Sequence, residues 1–487
     1  MRPAYTAAQT RELEAVAIAA TTDDTLMQRA SHGLAGIAAA QLRRRYARLY
    51  GTQVVILVGP GNNGGDALFA GARLAARGVS VLAVRALGQP HARGMAALLA
   101  AGGRIVELDA FDPYAFAPGP GSDPEIDLVL DGILGIGGRP GLPEQVATLT
   151  RDLVSWGVPI IAVDLPSGVE TDTGAAPDES VRATRTVTFG FRKPCHLIEP
   201  ALTRCGHIDL VDIGLDAGGE PPELVGWEID DLAARWPFPD ESSDKYSRGV
   251  VGIDSGSESY PGAAIMNTYG AVYAGAGMVR FLGPESAARV IGAELPNVVF
   301  ANGRVQAHLL GSGWGERSDG HDAVATAVDS GVPVLIDADG LKYLPKTLPS
   351  SCLLTPHAGE LAQLLGGSRA EVQADPVAAV KAAVAQTGAT VLLKGASQFV
   401  ASPDTVGVGV AVPGPAWTAQ AGSGDTLAGI CAALLAAGVS ASDAGLLGAS
   451  LQAATAAAHP GPLPPHVLAQ RSADLLGSLQ RRTAASS

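Results

Sequence analysis

Gly59-Pro-Gly-Asn-Asn-Gly-Gly-Asp66 sits between the apolar run Gln53–Val58 and the helical pattern Ala67–Arg77, which Gly78 ends. A strand, a glycine loop and a helix in that order mark the opening of a βαβ unit. Gly59, Gly61 and Gly64 keep a G-x-G-x-x-G spacing. Glycines there let the backbone approach a pyrophosphate, and the helix N-terminus aims N–H donors at it. Outward from this loop, Val79–Val84, Asp127–Leu130, Pro159–Val163 and Thr186–Phe189 read as further short strands, and Thr6–Ala30 as a helix before the first. Alternating strands and helices predict an α/β, Rossmann-like, doubly wound parallel sheet.

The loop departs from a dinucleotide-dehydrogenase pattern. The acid expected about 20 residues on, at the end of the next strand, is missing: that strand ends Val84-Arg85-Ala86. Asn62, Asn63 and Asp66 also make the loop more polar than a phosphate cradle requires. Those side chains suit a site that holds an ion or moves protons; the competing reading is a tight turn closed by Asx hydrogen bonds. Two more strand ends carry polar groups, Asp131 ahead of Gly135-Ile-Gly-Gly138, and Asp164-Leu-Pro-Ser-Gly168. Carboxyl ends of strands line the ligand crevice of an open α/β sheet, so Asn63, Asp131, Asp164 and Ser167 are expected to converge.

The second half repeats the class of pattern with different motifs. Gly249–Ile253, Pro333–Ile336, Cys352–Leu354 and Thr390–Leu393 read as strands, and Gly262–Ala276 and Thr426–Ala437 as helices. Ala421-Gly-Ser-Gly-Asp425 opens the last of these. Gly422 and Gly424 at a helix N-terminus make an anion hole. A carboxylate beside bound phosphate is repelled, so Asp425 needs a reason to be there; taking the proton of a hydroxyl that attacks phosphorus is one. Lys394-Gly-Ala-Ser-Gln398, His357 within Thr355–Glu360, Asp337-Ala-Asp339, Ser255-Gly-Ser257 and Gly311–Gly315 sit at other strand ends. Neither half carries a G-x-x-x-x-G-K-[ST] loop. The turn-rich Asp216–Pro222 places the boundary near residue 220, giving domains 1–220 and 221–487; Arg235–Ser243 is a second candidate linker.

Bulk properties narrow the partners. A chain of 487 residues with a net charge of -14 has no overall basic excess, which argues against nucleic acid or anionic membrane as a partner. The 4 cysteines form no C-x-x-C pair, so neither a disulfide framework nor a zinc site is expected. The N-terminal residues lack an apolar stretch of the secretory type, and no run approaches the roughly 18 apolar residues of a membrane span. The cytoplasm is the expected compartment.

These motifs resemble two known families in succession. Gly59–Asp66, Asp131 with Gly135, Asp164–Gly168 and Thr188-Phe-Gly-Phe-Arg-Lys-Pro194 are similar to the NAD(P)H-hydrate epimerases. Tyr260-Pro-Gly-Ala263, Gly311–Gly315, Asp337–Asp339, Leu354–Glu360, Leu393-Lys-Gly395 and Gly422–Asp425 are similar to the ADP-dependent NAD(P)H-hydrate dehydratases of the ribokinase-like superfamily. The order resembles the bifunctional NAD(P)H-hydrate repair family. That resemblance implies interconversion of the R and S hydrates of NADH and NADPH, which carry water at C6 of the nicotinamide. It also implies dehydration of the S form at the expense of ADP, giving AMP and phosphate. It implies hydrate contacts in the first half at Asn62, Asn63, Gly64, Gly65, Asp66, Gly135, Ile136, Gly137, Gly138, Arg139, Pro140, Gly141 and the catalytic Asp164. K⁺ is implied on Asn63, Asp131 and Ser167. In the second half it implies hydrate contacts at Ala263, Gly313, His357 and the catalytic Asp425. Adenine nucleotide, ADP or AMP, is implied at Lys394, Gly395, Ala396, Ser397, Gln398 and Gly424, with Mg²⁺, and the whole is expected as a homo-oligomer. Three places depart from the family pattern: Ala67 after Asp66, Asp254 ahead of Ser255-Gly-Ser257, and Ser312 with Trp314 inside Gly311–Gly315. The alternative is a ribokinase-like kinase of a vitamin or sugar, fused to a nucleotide-binding module.

Overall fold

In the computed structural model residues 1–20, 24–119 and 123–486 are described, with side chains to Arg482. The chain divides between Glu223 and Leu224 into two units; Met1 and Arg2 belong with the second. The Met1 amine lies 2.8 Å from Asp231, and the Arg2 guanidinium donates to the Trp227 carbonyl at 3.2 Å. A reading of local pattern assigns these two residues to the first half. Their partners are more than two hundred positions away.

After β1 (Arg2–Ala4), whose strand falls in the sheet of the second unit, the elements of the first unit run α1 (Ala7–Ala20), α2 (Thr25–Tyr46), β2 (Gln53–Val58), α3 (Asn62–Ala75), β3 (Ser80–Arg85), α4 (Ala92–Ala100), β4 (Arg104–Glu107), β5 (Leu128–Gly132), α5 (Glu144–Ser155), β6 (Ile160–Val163), β7 (Arg185–Phe189), α6 (Ala201–Cys205) and β8 (His207–Val211). Seven strands pair in parallel in the order β4-β3-β2-β5-β6-β7-β8. Val54–Val58 are all buried, as a central strand covered on both faces requires. The strand order reverses between β2 and β5, where Leu57 pairs with Asp131, so a crevice opens at their carboxyl ends.

Two expectations are corrected. The segment 6–30 is not one continuous helix, since α1 ends at Ala20 and α2 begins at Thr25; residues 21–23 lie outside the described ones. And α3 begins at Asn62, not Ala67, so Asn62–Asp66 form its first turn. The glycines there serve close approach. A Cβ on Gly59 would lie 1.8 Å from the Ile133 carbonyl oxygen, and one on Gly64 2.3 Å from that of Gly59.

The second unit runs β9 (Leu224–Gly226), α7 (Ile229–Arg235), β10 (Val250–Asp254), α8 (Pro261–Tyr273), β11 (Met278–Phe281), α9 (Glu285–Glu294), β12 (Ala307–Leu310), α10 (Gly320–Asp329), β13 (Val334–Ile336), β14 (Leu353–Leu354), α11 (Ala358–Leu365), α12 (Arg369–Ala374), α13 (Pro376–Thr387), β15 (Thr390–Leu393), β16 (Phe399–Ala401), β17 (Val408–Val410), α14 (Ser423–Ala436), α15 (Ala441–Ala458) and α16 (Pro465–Ser486). The sheet order is β1-β9-β17-β16-β15-β14-β13-β12-β10-β11. Strands from β11 to β15 are parallel, and β15, β16 and β17 form an antiparallel meander. Helix α14 is apolar and buried from Thr426 to Ala436. It packs on α8 so closely that a Cβ on Gly429 would lie 2.0 Å from the Asn267 carbonyl oxygen. The candidate linker Arg235–Ser243 lies inside this unit, where Trp236 is buried in the core. Among the described residues no helix is long and apolar enough to cross a membrane.

Candidate active sites

In the first unit the end of β5 places Asp131 fully inside the fold. Its carboxylate accepts from the Ser167 hydroxyl at 2.6 Å, the Ser167 amide at 2.8 Å and the Ile133 amide at 3.3 Å. Burial still outweighs these bonds and pushes the carboxyl up to about 6. The Ser167 oxygen lies 3.2 Å from the Leu134 carbonyl, to which Asn63 also donates at 2.9 Å. Asn63, Asp131 and Ser167 therefore gather round Leu134. A buried carboxylate among a hydroxyl, a carbonyl and an amide side chain is an oxygen-rich setting that fits a hard monovalent cation.

At the end of β6, Asp164 holds φ +66, a left-handed conformation costly for a residue with a side chain. Its carboxylate takes the Lys193 ammonium at 2.5 Å and the Thr188 hydroxyl at 2.9 Å. Lys193 is itself almost fully buried, and also donates to Thr188 and the Phe189 carbonyl. His196 fixes the corner. Its Nδ1 accepts from the Lys193 amide at 3.0 Å, so its Nε2 carries the proton toward the Asp164 carbonyl, also 3.0 Å away. Burial, then the Lys193 charge, pulls that imidazole down to about 3 and keeps it neutral. Asp66, on the first turn of α3, is buried with an Oδ1 that has no hydrogen-bond partner. Burial, then the charges of Asp164 and Glu14, raises its carboxyl well above the usual range.

The loop after β5 turns through Gly138 N–H to Gly135 O at 2.8 Å and meets the β6 end where Gly141 donates to Gly168 at 2.8 Å. Gly135 packs against Asn63, so a Cβ there would lie 3.2 Å from the Asn63 Cβ. Arg11 of α1 donates to Ile136 at 2.9 Å. Gly137, Arg139 and Pro140 are exposed on the outer part of this loop.

In the second unit Asp425 lies in the first turn of α14, one residue after Gly424. Its carboxyl is pushed up to about 6 by burial first and by Asp337 second, with Lys394 pulling back. Asp337, at the end of β13, is buried and accepts from Lys394 at 2.6 Å, Thr355 at 2.8 Å and Ser312 at 2.9 Å. Burial pulls the Lys394 ammonium down, but Asp337, Glu360 and Asp425 outweigh it and leave it above its usual value. A Cβ on Gly424 would lie 3.2 Å from Lys394 Nζ, which puts a cation directly under the helix start. The Asn267 amide holds the Asp425 carbonyl at 2.7 Å.

Asp425 joins two groups of predicted residues. On one side a cleft of about 1090 Å³ is lined by Tyr260, Ala263, Gly313, Trp314, Lys342 and Asp425, among others. On the other, Lys394–Gln398 turn between β15 and β16, with the Lys394 backbone bridged to that of His357. His357 caps α11, its Nδ1 accepting from Gly359 and Glu360, and its exposed ring leaves Nε2 3.4 Å from Glu360. It does not line the cleft.

The family described as YjeF-related protein N-terminus matches residues 23–195, and that described as NAD(P)H-hydrate dehydratase matches residues 251–472. A bifunctional NAD(P)H-hydrate repair enzyme of Mycobacterium leprae is 40% identical over 481 residues, covering 95% of this chain and 96% of its own. The chain belongs to that family. A Mycobacterium tuberculosis enzyme of the same name is 40% identical over 460 residues, 91% of each chain. Among solved structures, an ADP/ATP-dependent NAD(P)H-hydrate dehydratase from Bacillus subtilis crystallised with ATP and Mg²⁺ is 25% identical over 53% of this chain and 97% of its own, with a TM-score of 0.48.

The family motif in this chain contains Lys193, to which the sequence reading gave no role. A lysine in Phe-Arg-Lys-Pro194 just past a strand end was the available signal, but its burial was not legible. Glu14, His196 and Asn267 carry no sequence signal, because each reaches its site from a helix or turn far along the chain, and Glu360 ends the Leu354–Glu360 motif, in which only His357 has an expected role. Two departures from the family pattern answer each other. Asp254 is paired with Arg317 at 2.8 Å and receives the Trp314 indole N–H on its carbonyl at 3.0 Å, while Arg317 stacks 4.2 Å over that indole. Ser312 donates to Asp337, and its oxygen lies 3.3 Å from the Asn267 amide.

Proposed function

We infer that the chain repairs hydrated NADH and NADPH in two steps, the first unit exchanging R and S epimers and the second dehydrating the S form with ADP. Membership of the bifunctional repair family carries the reading; the distribution of carboxylates over the two units supports it. In the second unit Asp425 takes the proton of the C6 hydroxyl, whose oxygen forms a bond to the β-phosphorus of ADP as the bond to AMP breaks. The ring nitrogen lone pair then expels phosphate from C6, and loss of a proton from C5 restores the dihydronicotinamide. First-turn amides of α14 and the Lys394 ammonium face the charge that builds on the transferring group. The residues beside them are Lys394–Gln398 for the nucleotide and Ala263 and Gly313 for the hydrate, with His357 at the margin.

Mg²⁺ would be carried on the diphosphate, where it would neutralise phosphoryl charge. In the first unit Asn63, Asp131 and Ser167 would hold K⁺, which offsets the cost of a buried carboxylate and fixes the loop from Leu134 to Gly141. The hydrate contacts there are Asn62–Asp66, Gly135–Gly141 and Asp164. The four cysteines, all buried and unpaired, suit a reducing cytoplasm, and an assembly of like subunits belongs to the same proposal.

The test is incubation of the chain with mixed R and S hydrates, with and without ADP, followed by chromatography. Complete conversion to NADH with release of AMP and phosphate, only when ADP is present, is the expected result. A stable phosphate ester would make the second unit a kinase instead.

A further inference from the structure

Two buried carboxylates in the first unit sit in opposite settings, near enough for the charge of Asp164 to act on Asp66. Asp164 has a full set of partners: the Lys193 ammonium, the Thr188 hydroxyl and, at 3.4 Å, the Phe189 amide. Asp66 has none on Oδ1, although it is nine-tenths buried. A carboxylate gripped by an ammonium and a buried one left without a partner are settings suited to a proton acceptor and a proton donor.

We propose that Asp66 and Asp164 are the acid and the base of epimer exchange, acting on opposite faces of the hydrated ring, with Lys193 as the residue that positions Asp164. The proposal rests on the reading of the first unit as the epimerase. Asp66 gives its proton to the C6 hydroxyl. The C6–O bond breaks, its electron pair leaves with water, and the N1 lone pair forms an N1=C6 iminium. A second water forms its bond to C6 from the other face, the π pair returns to N1, and Asp164 takes the proton that this water releases. The reverse conversion uses the same two groups in exchanged roles. Proton exchange with solvent resets them between turnovers of one direction.

The surroundings agree with the assignment. Asp66 faces Asp164, Glu14 and Lys193, and burial with the two acidic neighbours raises it well above the ordinary carboxyl. Glu14, on α1, is raised in turn by burial, with Arg11 beside it. His91 of the α4 cap lies beside the neighbouring Gly65, where a Cβ would come within 3.1 Å of its ring. Asp164 in addition meets the neutral His196, through its carbonyl, and its charge acts on Glu14 and on the buried Cys195 thiol. A proton on Asp66 thus relieves the repulsion between two buried acids that share one lysine.

The experiment follows pure R hydrate in ¹⁸O-enriched water without ADP, using the full chain. The expected result is one solvent oxygen in every S hydrate formed, at a rate that falls with rising pH as Asp66 ionises. Asp66→Asn is expected to lose on the order of 10²–10⁴ in exchange rate at saturating hydrate and to lack that pH limb. Retention of the original oxygen overturns the proposal. So does an Asp66→Asn chain that keeps more than about a tenth of that rate. A parent chain that exchanges no epimers at all overturns the epimerase reading beneath it. The oxygen label and the pH limb are measured on the parent, so they decide the matter even if the variant does not fold.

Discussion

Replacing Asp425 by Asn should separate activity from stability, and the size of both effects can be worked out. The carboxyl is raised from 3.8 to about 6 by burial first and the charge of Asp337 second. That rise is worth about 3 kcal/mol at 1.36 kcal/mol for each tenfold change in proton affinity. Asp425 is only partly buried, so solvent screening makes this an upper bound. The sign follows from linkage. The folded chain binds this proton more tightly than the unfolded chain, so stability falls as pH rises from about 4 to 6. Above 6 the ionised carboxylate costs the full amount. Asn cannot ionise and keeps an acceptor oxygen. The variant should therefore be more stable than its parent at pH 8, by up to about 3 kcal/mol or several degrees in Tm, and the gain should vanish near pH 4. Its ADP-dependent dehydration should drop on the order of 10²–10⁴, as loss of a general base does. Calorimetry at both pH values, in the transition that responds to ADP, reads the first effect, and AMP release the second. An Asp425→Asn chain that melts below its parent at pH 8 would refute the electrostatic reasoning. One that keeps more than about a tenth of the AMP release would show that another group takes the proton.

In the parent, kcat/KM for dehydration should fall about tenfold per pH unit below about 6, as Asp425 becomes protonated; a flat profile from 7 to 5 removes it as the base. Asp164→Asn should abolish epimer exchange while ADP-dependent use of the S hydrate continues. It should also lower the melting of the first unit, because removing one partner of a buried pair, here that of the Lys193 ammonium, costs about 3–5 kcal/mol; equal loss of both activities would contradict separate sites. K⁺ should raise epimerase activity and first-unit melting more than Li⁺ at matched ionic strength and pH 8. Asp131, raised to about 6, is there an ionised carboxylate that the fold disfavours until a cation joins it; identical curves in the two salts would remove the cation.

The sequence by itself determined the class of fold, the two glycine loops, the strand ends at which Asp131, Asp164 and Asp337 stand, and the helix start that carries Asp425. These are local properties: a period of two or of 3.6, and glycines where a strand gives way to a helix. Even the error at α3 is local in origin. Gly59–Asp66 reads as a glycine loop opening a helix at Ala67, whereas Asn62–Asp66 are already helical and tight packing against neighbouring backbone and side chains demands Gly64 and Gly65. The tertiary structure alone decided what each carboxylate meets. Lys193 reaches Asp164 from 29 positions away, Lys394 reaches Asp337 from 57, and Asn267 holds Asp425 across 158. Asp66 is left without a partner on Oδ1 although it is as acidic in sequence as the others. Whether a buried acid keeps or gives its proton depends on desolvation and on charges within a few ångströms. Those neighbours come from separate strands and helices, so spacing along the chain carries no trace of them.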